Sequence, residues 1–157
     1  MKYYACIHSP IGWLHLEASD LGLERISMRD QGVEQSDDHF IIHEAISQLT
    51  EFFDGTRKSF NVPLHMIGTH FQLNVWEELQ KIPFAVTNSY EDIARRLGDV
   101  KVIRAAATAN GRNPIPIIIP CHRVIGKDGS LTGYSGGLHR KKWLLEFEHA
   151  TVQMRIC

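Results

Sequence analysis

At 157 residues, 43% apolar and 22% charged, the chain can bury one core of ordinary size or two small ones; no run nears the ~18 apolar residues of a spanning helix. Its formal net charge of -1 argues by itself against a nucleic-acid partner. Cys6, Cys121 and Cys157 are odd in number and lack a CxxC pair, which argues against a disulfide framework or a cysteine-built zinc site. With no secretion-type leader at its start, the chain is expected in the cytoplasm, with no membrane partner.

The segments "YYACIHS", "GWLHLEAS" and "LERISMR" alternate in part and are divided by Pro10-Ile11-Gly12 and Asp20-Leu21-Gly22, which predicts an antiparallel meander. From Asp38 to Phe53 the apolar residues Ile42, Ala45, Ile46, Leu49, Phe52 and Phe53 follow helical spacing, with Gly55 just beyond. After "FNVPL" the periodicity lapses around Ile67 to Thr69. A boundary there gives a small sheet-plus-helix domain over 1–68 and a second domain over 69–157.

The second domain reads as four helices: "HFQLNVWEELQKI", "SYEDIARRLG", "VKVIRAAATANG" and "GLHRKKWLLEFEH". Ser89 is placed to cap the second, with Asp92 in its first turn and Gly98 at its end. The short Gly98-Asp99-Val100 break before the next helix has the shape of a helix-turn-helix. In that next helix Arg104 precedes Ala105, Ala106, Ala107, Thr108 and Ala109. Such a slim helix suits close approach to a minor groove with Arg104 intruding among bases, but alanines serve a buried helix equally well.

Charge divides along the chain. Residues 1–68 carry five Lys/Arg against ten Asp/Glu, whereas residues 90–145 carry ten against four. That contrast suits a second half facing a polyanion, or simply a solvated face.

"NPIPIIIPCHRVIGKDG", residues 113–129, places Cys121 beside His122 at the end of a proline-rich apolar run. Pro114, Pro116 and Pro120 forbid a helix, so the run is expected to be extended, with successive side chains on opposite sides. His122 then reaches the sulfur through water or a local turn, and a nearby imidazole or cation is expected to lower the thiol from its ordinary pKa of about 8.5. Glu148 lies three and four positions after Leu145 and Leu144. It is either the acceptor that orients His122 or a residue of a frayed helix end.

In order and at the same spacing, "FQLNVWEELQKIP", "SYEDIARRLG", "RAAATANGRNP", "NPIPIIIPCHRVIG" and "GSLTGYSGGLHRKKWLLEFE" closely resemble the O6-alkylguanine-DNA alkyltransferase family over roughly residues 69–149. The first 68 residues resemble that family's variable domain only through "SPIG" and an acidic, strand-rich character. The resemblance implies an α/β, ribonuclease-H-like first domain and a mainly α second domain with a winged helix-turn-helix. It implies a monomer, without cofactor, whose partner is double-stranded DNA containing O6-alkylguanine. It acts once, by moving the alkyl group to Cys121, with alkylated O4 of thymine left open.

On the same resemblance His122 is a water-mediated base held by Glu148, Asn113 braces the cysteine loop, and Tyr90 donates toward the departing guanine. Tyr134, Pro116, Ser135 and Gly136 line the pocket, and backbone groups of Val124 and Ser135 read the base. Arg104 fills the gap left by the flipped nucleotide, and Ala105, Ala106, Ala107, Ala109, Arg112 and Ser89 face DNA. Ala85, Val100, Ala106 and Ala107 depart from the family's frequent residues. Ser19 stands where some relatives place a zinc-binding cysteine, so no metal is expected. Two competing readings are a non-repairing lesion binder, which would lack Cys121, and a small-substrate cysteine hydrolase, which leaves the basic half unexplained.

Overall fold

Alternation writes the first sheet. In a computed structural model that describes the backbone of residues 1–156 and the side chains of residues 1–153, β2 (Gly12–Ser19) buries Leu14, Leu16 and Ala18 and leaves Trp13, His15 and Glu17 half-covered. It pairs antiparallel with β1 (Tyr3–Ser9) and with β3 (Gly22–Arg29), and β1 pairs with a two-residue β4 (Gln35–Ser36) that alternation did not reveal. The strand order is β3-β2-β1-β4. At Gly22 a Cβ would lie 2.7 Å from the His65 nitrogen, because the segment around Leu64 runs alongside Leu23. Only glycine admits that approach.

Helix α1 (Phe40–Phe53) turns Ile41, Ile42, Ala45, Leu49 and Phe52 into the core. Its N-cap is His39, whose imidazole accepts from the Ile41 N–H at 3.3 Å. These elements form one compact unit, Met1–Ile67.

The other unit, Gly68–Cys157, is mainly helical. Helix α2 (His70–Leu79) opens with a capping box between Thr69 and Gln72, and buries Val75, Trp76 and Leu79. Ser89 and Asp92 form a second capping box on α3 (Tyr90–Arg96), and Gly98 at φ 92° lets the chain turn. The next α-helix starts later than periodicity suggested. Asp99 caps a 3-10 turn, Val100–Val102, before α4 (Ile103–Gly111). Trp76 Nε1 donates to the Ala109 carbonyl at 2.9 Å, tying α2 to α4.

β5 (Asn88–Ser89) and β6 (Val124–Ile125) pair in parallel beside the helix-turn-helix of α3 and α4, and α5 (Leu138–Ile156) closes the unit. No helix among the described residues is long and apolar enough to cross a membrane. Cys157 lies outside the described residues.

Candidate active site around Cys121

The proline-rich run is a folded turn, not the extended chain its prolines suggested. Asn113 organises it: its Oδ1 accepts from the Ile115 N–H at 2.9 Å and its Nδ2 donates to the Ile119 carbonyl at 2.7 Å. The Ile119 N–H reaches back to the Ile115 carbonyl at 2.9 Å, and Ile117 takes φ 77°, a costly conformation for a β-branched residue. Prolines at 114, 116 and 120 bring no N–H into this buried stretch, which lowers the number of donors needing partners. The chain then enters a 3-10 turn, Cys121–Arg123, with all three residues buried. Asn113 and the isoleucine core thus fix where the thiol stands.

His122 is fully buried, and its Nε2 lies 2.6 Å from Glu148 Oε2. Glu148 is itself 1% exposed, on the face of α5 that buries Leu144. A carboxylate only accepts, so Nε2 carries the proton and Nδ1 presents its lone pair. Nδ1 is buried without a hydrogen-bond partner in the protein. Burial keeps the imidazole below its ordinary pKa; Glu148 opposes this, and Arg123 and Lys141 reinforce it. Burial also acts to raise the Glu148 carboxyl, but hydrogen bonds from His122 and Arg123 prevail and hold it at about 2.

Burial pushes the Cys121 thiol up to about 11, against the opposing effects of Asn113 and Lys141. This corrects the expectation of a lowered thiol pKa. At 1% exposure, loss of ion hydration outweighs the nearby Lys141 charge. The resting pair is therefore a neutral thiol and a neutral imidazole.

Three groups of this site were given no role in it by the sequence. Arg123 forks onto Glu148, with Nε 2.9 Å from Oε1 and Nη2 3.0 Å from Oε2, and its Nη1 donates to the Ile82 carbonyl at 2.7 Å. The Ala85 N–H donates to Glu148 Oε1 at 3.0 Å from a backbone at φ 64°. Lys141, fully buried, donates to the carbonyls of Val124 at 2.6 Å and Thr132 at 2.7 Å. Two signals were present: Arg123 is a lone charge inside an apolar run, and Lys141 precedes Leu144, Leu145 and Glu148 on one helix face.

Of the residues expected to line a pocket, Tyr134 is buried with a hydroxyl lacking a protein partner, and Pro116 and Gly136 are also buried. Ser135 is exposed. The Tyr90 hydroxyl lies 3.1 Å from Thr132 Oγ1. Val124 spends its N–H on the Cys121 carbonyl, and its own carbonyl accepts from Lys141. Only a second carbonyl lone pair is then left for a base.

On α4, Arg104 and Ala105 are exposed and Ala107 is half-buried, while Ala106 and Ala109 are 1% and 3% exposed. Their side chains face the core, which corrects their assignment to a DNA-facing surface: in a helix-turn-helix one stripe of the second helix must pack on its neighbours. Arg112 is exposed, and the Ser89 hydroxyl is engaged in its cap. Among the described residues no group of three or more His, Cys, Asp or Glu could hold a metal ion.

Comparison with known proteins covers both units. Residues 70–150 match the family described as 6-O-methylguanine DNA methyltransferase, DNA binding domain, and residues 2–66 match its ribonuclease-like domain. A methylated-DNA–protein-cysteine methyltransferase of Methanosarcina acetivorans is 44% identical over 155 residues, covering 93% of this chain and 97% of that protein. The crystal structure of the Mycobacterium tuberculosis O6-methylguanine methyltransferase superposes with a TM-score of 0.86 at 43% identity, covering 96% of this chain and 94% of that one. The structure of Mycobacterium tuberculosis OGT in complex with DNA gives 0.84 at 44% identity, covering 94% and 93%.

Proposed function

The chain belongs to the methylated-DNA–protein-cysteine methyltransferase family, and from that premise we propose that Cys121 accepts the alkyl group of O6-alkylguanine in duplex DNA. The observation that carries the residue assignment is the pairing of a buried neutral thiol with an imidazole whose tautomer is already set. Glu148 accepts a hydrogen bond from the protonated Nε2, so Nδ1 is the free base, and burial keeps it unprotonated. The sulfur forms its bond to the alkyl carbon as the bond from that carbon to O6 breaks. The thiol proton passes through a bridging water to Nδ1, the departing guanine takes a proton from the Tyr90 hydroxyl, and the imidazolium gives its proton back through water to the Tyr90 oxygen, which leaves both side chains neutral.

The raised thiol pKa suits this scheme. A standing thiolate would need hydration that the site does not offer, so deprotonation coincides with attack. A thioether is not hydrolysed by water, and the protein is spent after one transfer. Extrusion of the nucleotide is required because O6 inside a base stack is out of reach, and it costs a few kcal/mol. Arg104, exposed at the start of α4, fills the vacated position, with Ala105 and Ala107 near it and Arg112 facing DNA from the other end of the helix. Tyr134, Pro116, Ser135 and Gly136 wall the base.

The test is stoichiometry. With excess duplex carrying O6-methylguanine, the protein is expected to repair one lesion per molecule and stop. Continued turnover would contradict the assignment.

A further inference from the structure

We propose that Arg123 is a positioning residue of the alkyl-transfer site: its fork neutralises Glu148, so that the carboxylate orients His122 without drawing a second proton onto it. The inference rests on the role given to Cys121 and His122 above. A buried carboxylate 2.6 Å from an imidazole would by itself favour imidazolium. Imidazolium has no lone pair for the thiol proton, so an unmoderated Glu148 would orient the base and disable it together.

The geometry of Glu148 removes that conflict. Oε1 receives Arg123 Nε at 2.9 Å and the Ala85 N–H at 3.0 Å. Oε2 receives His122 Nε2 at 2.6 Å and Arg123 Nη2 at 3.0 Å. Each oxygen offers about two lone pairs, so the carboxylate is saturated and its charge is matched by one guanidinium. Arg123 cannot swing away: Nη1 is tied to the Ile82 carbonyl at 2.7 Å, and the guanidinium lies 5.7 Å from the centre of the Phe84 ring. The segment Ile82–Ala85 therefore clamps the pair from outside. Ala85 aims its amide by adopting φ 64°, which a non-glycine residue takes only at a cost.

The charged and titratable groups facing His122 are Glu148 and Lys141 from α5, and Arg123 and Cys121 from its own turn. Lys141 acts in the same direction as Arg123 but makes no hydrogen bond to Glu148; its ammonium goes to Val124 and Thr132. Arg123 alone both holds the carboxylate and cancels its charge.

The experiment follows the His122 ring by NMR against pH in the full chain with ring-labelled histidine, the signal being assigned by its loss in a His122→Gln variant. In Arg123→Gln, with folding checked by thermal melting, the His122 midpoint is expected to rise by about one pH unit or more, the effect of an uncompensated neighbouring charge. The acid limb of the alkylation rate moves up with it. Arg123→Lys keeps the charge but loses the fork, and is expected to raise the midpoint by about half as much. An unmoved midpoint in folded Arg123→Gln, or in Arg123→Lys if the glutamine variant does not fold, overturns the proposal. The titration is readable even if no alkyl group is transferred, so failure of the alkyl-transfer assignment and failure of this one give different results.

Discussion

Replacing Glu148 by Gln tests the buried network through stability, where the structure fixes both size and pH window. The carboxyl is held at about 2 against an ordinary 4.5, because hydrogen bonds from His122 and Arg123 outweigh its desolvation. At about 1.4 kcal/mol per pH unit, that separation corresponds to about 3 kcal/mol of folding free energy. The same order follows from the Arg123 guanidinium, 5% exposed and left without its anion in the variant. For a group whose folded pKa is depressed, the contribution is fully present above the unfolded pKa and is lost as pH falls through the folded one. Urea denaturation followed through the helical unit should therefore show Glu148→Gln about 3 kcal/mol less stable at pH 7, with the gap closing between about pH 4.5 and pH 2. A gap that stays constant over that range would refute the reasoning, since it would mean that Glu148 stabilises the fold without being ionised.

Three further outcomes are expected. Iodoacetamide should label Cys121 far more slowly at pH 7 than a thiol of ordinary pKa, with labelling rising only as pH nears the folded value of about 11; fast labelling at neutral pH would show that burial does not govern the thiol. Asn113→Ala removes two buried hydrogen bonds and should cost about 2–5 kcal/mol in chemical denaturation, with slower alkylation, whereas a loss below about 1 kcal/mol would deny its bracing role. Arg104→Ala should slow repair of duplex by roughly tenfold or more, an effect above about 1.4 kcal/mol, while reaction with free O6-alkylguanine changes little; equal losses on both would remove it from nucleotide extrusion.

The parts of this fold legible in the sequence are those set by local rules. Gly12 and Gly22 separate alternating runs, and Ser89 with Asp92 writes a cap within four residues. Glu148 could be placed on the leucine face because helical periodicity extends that far along α5. What escaped was set by partners distant in sequence. The Ala85 N–H meets a carboxylate 63 residues away, and Arg123 one 25 residues away, and no local pattern encodes either meeting. The prolines at 114, 116 and 120 exclude a helix but do not choose between an extended run and a turn, and Asn113 and the burial of four isoleucines chose the turn. Ala106 and Ala109 misled for a related reason: a small side chain serves close packing inside a protein as well as close approach to a partner.

The central claim is that Cys121 itself receives the alkyl group, and its most direct test is the mass of the protein after mixing with an equimolar duplex carrying O6-methylguanine. The intact chain is expected to gain one methyl group, located on the peptide that contains Cys121, with guanine restored in the DNA and no gain in Cys121→Ala. Loss of the methyl group from DNA while the protein mass stays unchanged, or a gain located on Cys6 or Cys157, would contradict the account.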